Sequence, residues 1–288
     1  VKRSVQSLDG NFGVEIQGID LSSECSDETL SFLCENLYKH QVVVIRDQRL
    51  SRDQYLSFGR RWGTPIPHVL DHMRMDGYPE MMTVGNTEKR DLKNNIRNGA
   101  ALWHTDQSYE KSPASATMLY SLKVPAHGGE TQFCNMTLAF QQMDDARKQQ
   151  LEPLIVQHKY GYGTRRADEL SVNPLKNSDQ DQRVPPVLHP LVMQHPVVNQ
   201  KTLYAVGHGA YGIESMDETA ATSLIASLKD YVLQEQFIYR HPYEKGDLVI
   251  WDTLQTMHCA TPIDAPKSSQ DERLLWRISV RGRPEIYR

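Results

Sequence analysis

Cysteine is scarce in this chain. Cys25, Cys34, Cys134 and Cys259 are scattered over 288 residues, and none forms a C-x-x-C pair. That argues against a cysteine zinc cluster and against a disulfide scaffold, and leads us to expect reduced thiols in a cytoplasmic protein. Long apolar runs are missing, so no membrane partner is expected. The opening residues, VKRSVQSLDGNFG, lack the apolar stretch of a signal peptide. A large excess of one charge is missing too: the net charge of -4 gives no basis for binding nucleic acid or an anionic surface. There are no internal repeats and no low-complexity segment.

The composition that remains, 39% hydrophobic and 24% charged, is that of a soluble globular protein able to bury a core. The length suits one domain over residues 1–288, within the range of all-β barrels and sandwiches. Residues 13–19 read as a strand of an opening strand pair. Ser26 reads as the N-cap of a helix over 28–39, and QVVVIR (41–46) as a buried strand. Ser51 with Gln54 fits a capping box for a helix carrying Tyr55, Phe58 and Trp62. Residues 66–100 are polar and irregular, and so predict a lid or binding loop, with a disordered insertion as the alternative. Further on, 189–206 reads as strand, turn and strand. Ser215 with Glu218 suggests a second capping box, opening a helix with Leu224, Ile225, Leu228, Tyr231 and Val232 on one face. Residues 237–240, 248–251 and 274–280 read as strands. Short strands with a few outer helices predict a mainly β protein, a barrel or double-sheet jelly roll.

The candidate chemistry begins at Trp103-His104-Thr105-Asp106. In an extended chain, residues two apart point to one side, so His104 and Asp106 can reach the same ion. An imidazole and a carboxylate are two of the three ligands of the 2-His-1-carboxylate triad, which leaves positions open and is associated with non-heme iron(II). His-x-Asp alone is a weak signal in a chain with eleven histidines. A third ligand must come from elsewhere; His258, in WDTLQTMHCATP, is the best candidate, against the plainer reading of a loop histidine. The last strand adds weight. Leu274, Trp276, Ile278 and Val280 alternate with Arg273, Leu275, Arg277, Ser279 and Arg281. A face bearing three arginines is either solvated or lines an interior built for carboxylates, which the planar guanidinium grips bidentately.

At these residues the chain resembles the TauD/TfdA family of iron(II)/2-oxoglutarate dioxygenases. The resemblance covers nearly the whole length and runs in order through the entry strand and helix, WHTDQSY, HGGETQFCNM, the HPLV–HP hairpin, YRHPYEKGDLVIWD, the distal histidine and RLLWR. It implies a double-stranded β-helix, or jelly roll, with iron at one mouth. Carried over residue by residue, it implies His104, Asp106 and His258 as catalytic iron ligands. It implies Thr131 and Arg273 as the residues that bind the distal carboxylate of 2-oxoglutarate, and Arg277 as the receiver of an anionic group on the substrate, with a structural salt bridge as the equal alternative for Arg277. The stretch 259–272 looks longer than is usual in the family; the spacing within RLLWR favours Arg273 for the co-substrate. Arg277 lies about 13 Å further along at strand rise.

The cofactor set so implied is iron(II), 2-oxoglutarate and dioxygen, with succinate and CO2 released as an unactivated C–H bond is hydroxylated. Desaturation or ring closure, as in tailoring enzymes of natural-product biosynthesis, would use the same ligands. Asp106 argues against halogenation, which needs that position vacant for chloride. The partner expected is a small-molecule substrate, a carboxylate or sulfonate, with His68, His72, Asn86 and Tyr109 as further candidate contacts. A homo-oligomer fits the family, although no interface is marked. Two rival readings are a zinc hydrolase, which leaves Thr131 and Arg273 unexplained, and a non-catalytic 2-oxoglutarate- or metal-binding protein.

Overall fold

A computed structural model describes residues 3–8, 12–163, 166, 169 and 176–287. Its largest element is a nine-stranded sheet. The order across it is Ser4–Ser7, Val14–Gln17, Val42–Ile45, Leu248–Asp252, Ala116–Lys123, Leu274–Arg281, Tyr78–Gly85 and Arg74–Met75, with Thr64–Pro65 also paired to Leu274–Arg281. A second sheet sets Thr131–Asn135 between Ile238–His241 and Thr256–Ala260. A third sets Ile155–His158 between Val187–Pro190 and Ala210–Ile213, and Val192–Gln194 pairs with Lys201–Leu203.

The central strands show why QVVVIR lacks polar alternation. Val43, Ile45, Leu248 and Ile250 pack toward the helical side of the large sheet. Val42, Val44, Val249 and Trp251 pack the other way, against Phe133 and Tyr239 of the second sheet. Both faces are buried, so both must be apolar. Two helices cover the outer face. Asp27–His40 starts where the Ser26 side chain accepts the Thr29 N–H, and buries Leu30, Leu33, Cys34 and Leu37. Arg52–Trp62 starts at the complete Ser51–Gln54 capping box. Among the described residues, no helix is long and apolar enough to cross a membrane.

Two expectations need revision. The helix Glu218–Val232 buries Ile225, Leu228 and Val232, but its cap is Asp217, whose carboxylate accepts the Ala220 N–H. Ser215 has φ 62 and belongs to the preceding turn. A capping hydroxyl needs an extended backbone one residue before the helix, and Ser215 has neither. Residues 66–100 are also not one loop. Tyr78–Gly85 is a full strand beside Leu274–Arg281, and Arg74–Met75 pairs with Tyr78–Gly85 in turn, which leaves 66–73 and 86–100 outside the sheet apart from Ile66 beside its edge. Met81 and Met82, buried there, carry the apolar signal that the flanking charges obscure.

The pairing Leu274↔Gly85 brings two backbones together without room for a side chain. A Cβ on Gly85 would lie 1.9 Å from the Arg273 carbonyl oxygen. Gly85→Ala must therefore push the last strand away, and should cost about 2 kcal/mol or more of stability. Urea unfolding of the variant measures this; an unchanged midpoint would show that the two strands separate without penalty.

A candidate metal centre

His104 and His258 are joined through their backbones. The His104 N–H donates to the His258 carbonyl at 3.0 Å, and the His258 N–H returns to the His104 carbonyl at 2.9 Å. His258 is thus a strand residue of Thr256–Ala260 rather than a loop histidine after Leu248–Asp252. On the other side, the His208 N–H donates to the Trp103 carbonyl at 2.7 Å. The short His-x-Asp arm is held as an extra rung between two segments. Gln107, with φ 50, turns the chain away directly after Asp106.

The three side chains converge. His104 Nε2 lies 3.6 Å from Asp106 Oδ1, and His258 Nε2 lies 3.6 Å from Asp106 Oδ2. One ligand atom from each residue falls within 4.8 Å of the others. His104 Nδ1 sits 2.8 Å from the Leu102 carbonyl, so it carries the proton there and leaves the Nε2 lone pair for an ion. Burial opposes ionisation of Asp106, but Arg277, His258 and His104 outweigh it and hold the carboxyl well below the usual carboxylate range. Burial, followed by the nearby His104, pulls His258 down to about 3. An ionised carboxylate and a neutral imidazole are the forms that ligate. Asp106 Oδ2 is buried without a hydrogen-bond partner. A divalent cation bound by these three donors would satisfy it.

A second feature concerns an anion. Arg273 is 4% exposed, and its Nε donates to the Gly129 carbonyl at 2.9 Å. Among the described residues it forms no ion pair, an arrangement that favours an anionic ligand. Gly129 has φ 81, and a Cβ there would stand 3.0 Å from Arg273 Cδ, so the paired glycines of HGGET let the chain pass against this side chain. Thr131, 2% exposed, lines the same cavity as Arg273 and the three convergent residues.

The remaining candidates separate into two groups. Arg277, His68 and Tyr109 line the cavity. Arg277 Nη2 donates to Asp106 Oδ1 at 2.7 Å, and Nη1 rests 3.2 Å from the Met82 sulfur. His68 Nδ1 accepts the Leu70 N–H at 3.1 Å. Tyr109 meets Tyr160 edge to face at 4.8 Å. Asn86 and His72 do not line the cavity. The Asn86 carboxamide accepts the Arg273 N–H at 2.7 Å and donates to the carbonyls of Asp264 and Asp271, so it ties down the long 259–272 segment. His72 is exposed on the short turn Asp71–Met73. Sequence patterns did not mark the apolar roof, where Val69, Leu70, Met73, Met82 and Val184 cluster with Ile96, Tyr109 and Tyr160. These residues come from six separate stretches without a common period.

The chain matches the family described as "Taurine catabolism dioxygenase TauD, TfdA family" over residues 4–279. It is 29% identical to the (S)-phenoxypropionate/alpha-ketoglutarate-dioxygenase of Sphingobium herbicidovorans, over 97% of this chain and 95% of that protein. It is 26% identical to the alpha-ketoglutarate-dependent sulfate ester dioxygenase of Pseudomonas putida, over 96% of this chain and 89% of that one. Among solved structures, that of AAD-2 in complex with Mn(II) and N-oxalylglycine aligns with a TM-score of 0.79 and 26% identity, over 98% of both chains. The chain belongs to the TauD/TfdA family. It is an iron(II)- and 2-oxoglutarate-dependent dioxygenase, with iron(II), 2-oxoglutarate and dioxygen as its cofactor set.

Two predictions follow from this geometry. His104→Ala, Asp106→Ala and His258→Ala should each lose stoichiometric iron(II) binding and all turnover; full metal content and activity in any of them would remove that residue from the ligand set. The second concerns the metal-free protein. His158, fully buried, is held down to about 3 by burial and by His189, as His258 is by burial and His104. Unfolded histidines take up protons below about 6.5, whereas these do not until near 3. Stability is therefore complete above pH 6.5 and falls as the pH drops from there toward 3. The urea midpoint should decrease from pH 7 to pH 5, and less steeply in His158→Phe; equal slopes would show that His158 titrates alike in both states.

Proposed function

We propose that this enzyme hydroxylates an unactivated C–H bond of a small amphipathic anion, an apolar body bearing a carboxylate, sulfonate or sulfate. The observation that carries this is the juxtaposition of an apolar roof with Arg277. Leu70, Met73, Met82, Ile96 and Tyr109 offer a dry surface, and Arg277 lies beside Asp106 in the same cavity. A guanidinium has five N–H donors, and here one is engaged by a carboxylate and another by a weak thioether acceptor. The remaining donors are available to a substrate anion close to the metal ligands. The named relatives, which act on a phenoxypropionate and on sulfate esters, fall in the same chemical class.

When bound, iron(II) and 2-oxoglutarate supply the oxidising chemistry, with dioxygen consumed and succinate and CO2 released. The chain's own residues hold and orient. His104, Asp106 and His258 would ligate the iron from one side. Thr131 and Arg273 would receive the distal carboxylate of 2-oxoglutarate, Arg273 as a buried cation. The roof residues would exclude water from the reacting C–H bond, with the irregular parts of 66–100 serving as the lid. We read the stacked sheets as a double-stranded β-helix with this cavity at one mouth. Desaturation or ring closure would differ only in the product.

Anaerobic addition of 2-oxoglutarate to the iron(II) protein should produce the weak visible band of the chelate, and a screen of small carboxylates, sulfonates and sulfate esters should then find the substrate. Arg273→Ala should raise the 2-oxoglutarate requirement at least tenfold with little change in that for substrate, and Arg277→Ala should do the reverse. The same shift in both variants would mean the two arginines do not divide the anions between them.

A further inference from the structure

Thr131 Oγ1 has a second hydroxyl behind it. Tyr243 lies in the turn that joins Ile238–His241 to Leu248–Asp252. His241 is the register partner of Thr131, so the turn leaves the sheet beside that threonine. Buried Asp247 fixes the turn by accepting the Glu244 N–H at 2.7 Å, and the Gly246 N–H donates to the Ser121 carbonyl at 2.9 Å. Tyr243 is thereby buried, with its hydroxyl 3.0 Å from Thr131 Oγ1.

The direction of that hydrogen bond follows from counting protons. The phenol has one proton, and among the described residues its hydroxyl has one hydrogen-bond partner, Thr131. A buried O–H without an acceptor is costly, so Tyr243 donates and Thr131 accepts. The Thr131 proton then remains for an acceptor in the cavity, whose wall includes Thr131 but not Tyr243. Burial pushes the phenol up to about 12, which keeps it a donor at any working pH. Its ring has a second contact: the Arg273 guanidinium carbon stands 5.7 Å from the ring centroid, and the edge-on ring of His241 braces it at 4.7 Å.

We propose that Tyr243 is a positioning residue for 2-oxoglutarate. Its hydroxyl turns the Thr131 proton toward the distal carboxylate, and its ring supports Arg273 for the same carboxylate. The inference rests on the roles proposed above for Thr131 and Arg273.

Tyr243→Phe tests it, because the ring stays and only the proton donor goes. The iron(II)-loaded variant is titrated anaerobically with 2-oxoglutarate while the chelate band is followed, and separately with pyruvate, a 2-oxo acid without a distal carboxylate. The affinity for 2-oxoglutarate should fall about fivefold. Pyruvate affinity and iron content should stay as in the wild type. Thr131→Ala should lose more, and Thr131→Ala with Tyr243→Phe should lose no more than Thr131→Ala alone, as expected when one group acts through another. An unchanged 2-oxoglutarate affinity in Tyr243→Phe, an equal loss for pyruvate, or additive losses in the double variant would each overturn the inference. A loss in Arg273→Ala with none in Tyr243→Phe removes Tyr243 and leaves the carboxylate assignment standing. Absence of the band in the wild type removes that assignment, and the inference with it.

Discussion

Two backbone hydrogen bonds between His104 and His258 hold the site together. They close a gap of more than half the chain and convert a short irregular arm into a rung beside Thr256–Ala260. Without them, His104 and Asp106 would hang from a segment anchored only at its ends. The neighbouring contact at Trp103 is just as tight: a Cβ on Gly207 would lie 2.4 Å from the Trp103 carbonyl oxygen. Ligand geometry is thus set by main chain on both sides, which restricts the side chains to small rotations. Sites supported in this way keep their atoms where chemistry requires them.

Electrostatic order along the cavity comes from the strand Leu274–Arg281 and the residue before it. Arg273, Arg277 and Arg281 lie on one face, four residues apart, and each has a different environment. Arg273 meets the Gly129 carbonyl and the Tyr243 ring. Arg277 meets Asp106, and Arg281 pairs with Glu110 at 2.6 Å. The opposite face is apolar, with Trp276, Ile278 and Val280 against the outer helices. Strict alternation lets one strand serve the core and present three guanidinium groups on its other face at once.

Much of this was legible in the sequence because it rests on local chemistry. The Ser26 cap, the Ser51–Gln54 box, the doubly buried QVVVIR and the alternation of the last strand are each set by a few adjacent residues. His104 and Asp106 could be paired from their spacing; His258 was the best third candidate but a loop histidine was the plainer reading until the resemblance was added, since its partner is a backbone rung that no local pattern encodes. Asn86 was misleading for the opposite reason. A buried amide after a strand reads as a cavity residue, yet its three hydrogen bonds go to the main chain of a distant segment. Tyr243 lay within a quoted motif, but its hydroxyl acquires meaning only beside Thr131, in the neighbouring strand. Asp217 displaced Ser215 as a cap because a turn residue with positive φ cannot start a helix.

The bond from Arg277 to Asp106 gives the chain a counter-cation of its own. In small zinc domains, the metal supplies the folding free energy and the apo chain is disordered. Here the negative ligand is already compensated by a guanidinium at 2.7 Å, His258 packs against Trp251 and Phe133, and His104 is held by the His258 ring and the Leu102 carbonyl. The Asp106 charge is thus offset within the polypeptide, so the ion arrives at a site whose negative ligand does not depend on the metal for its compensation, and iron uptake is a binding step rather than the folding step it is in such domains.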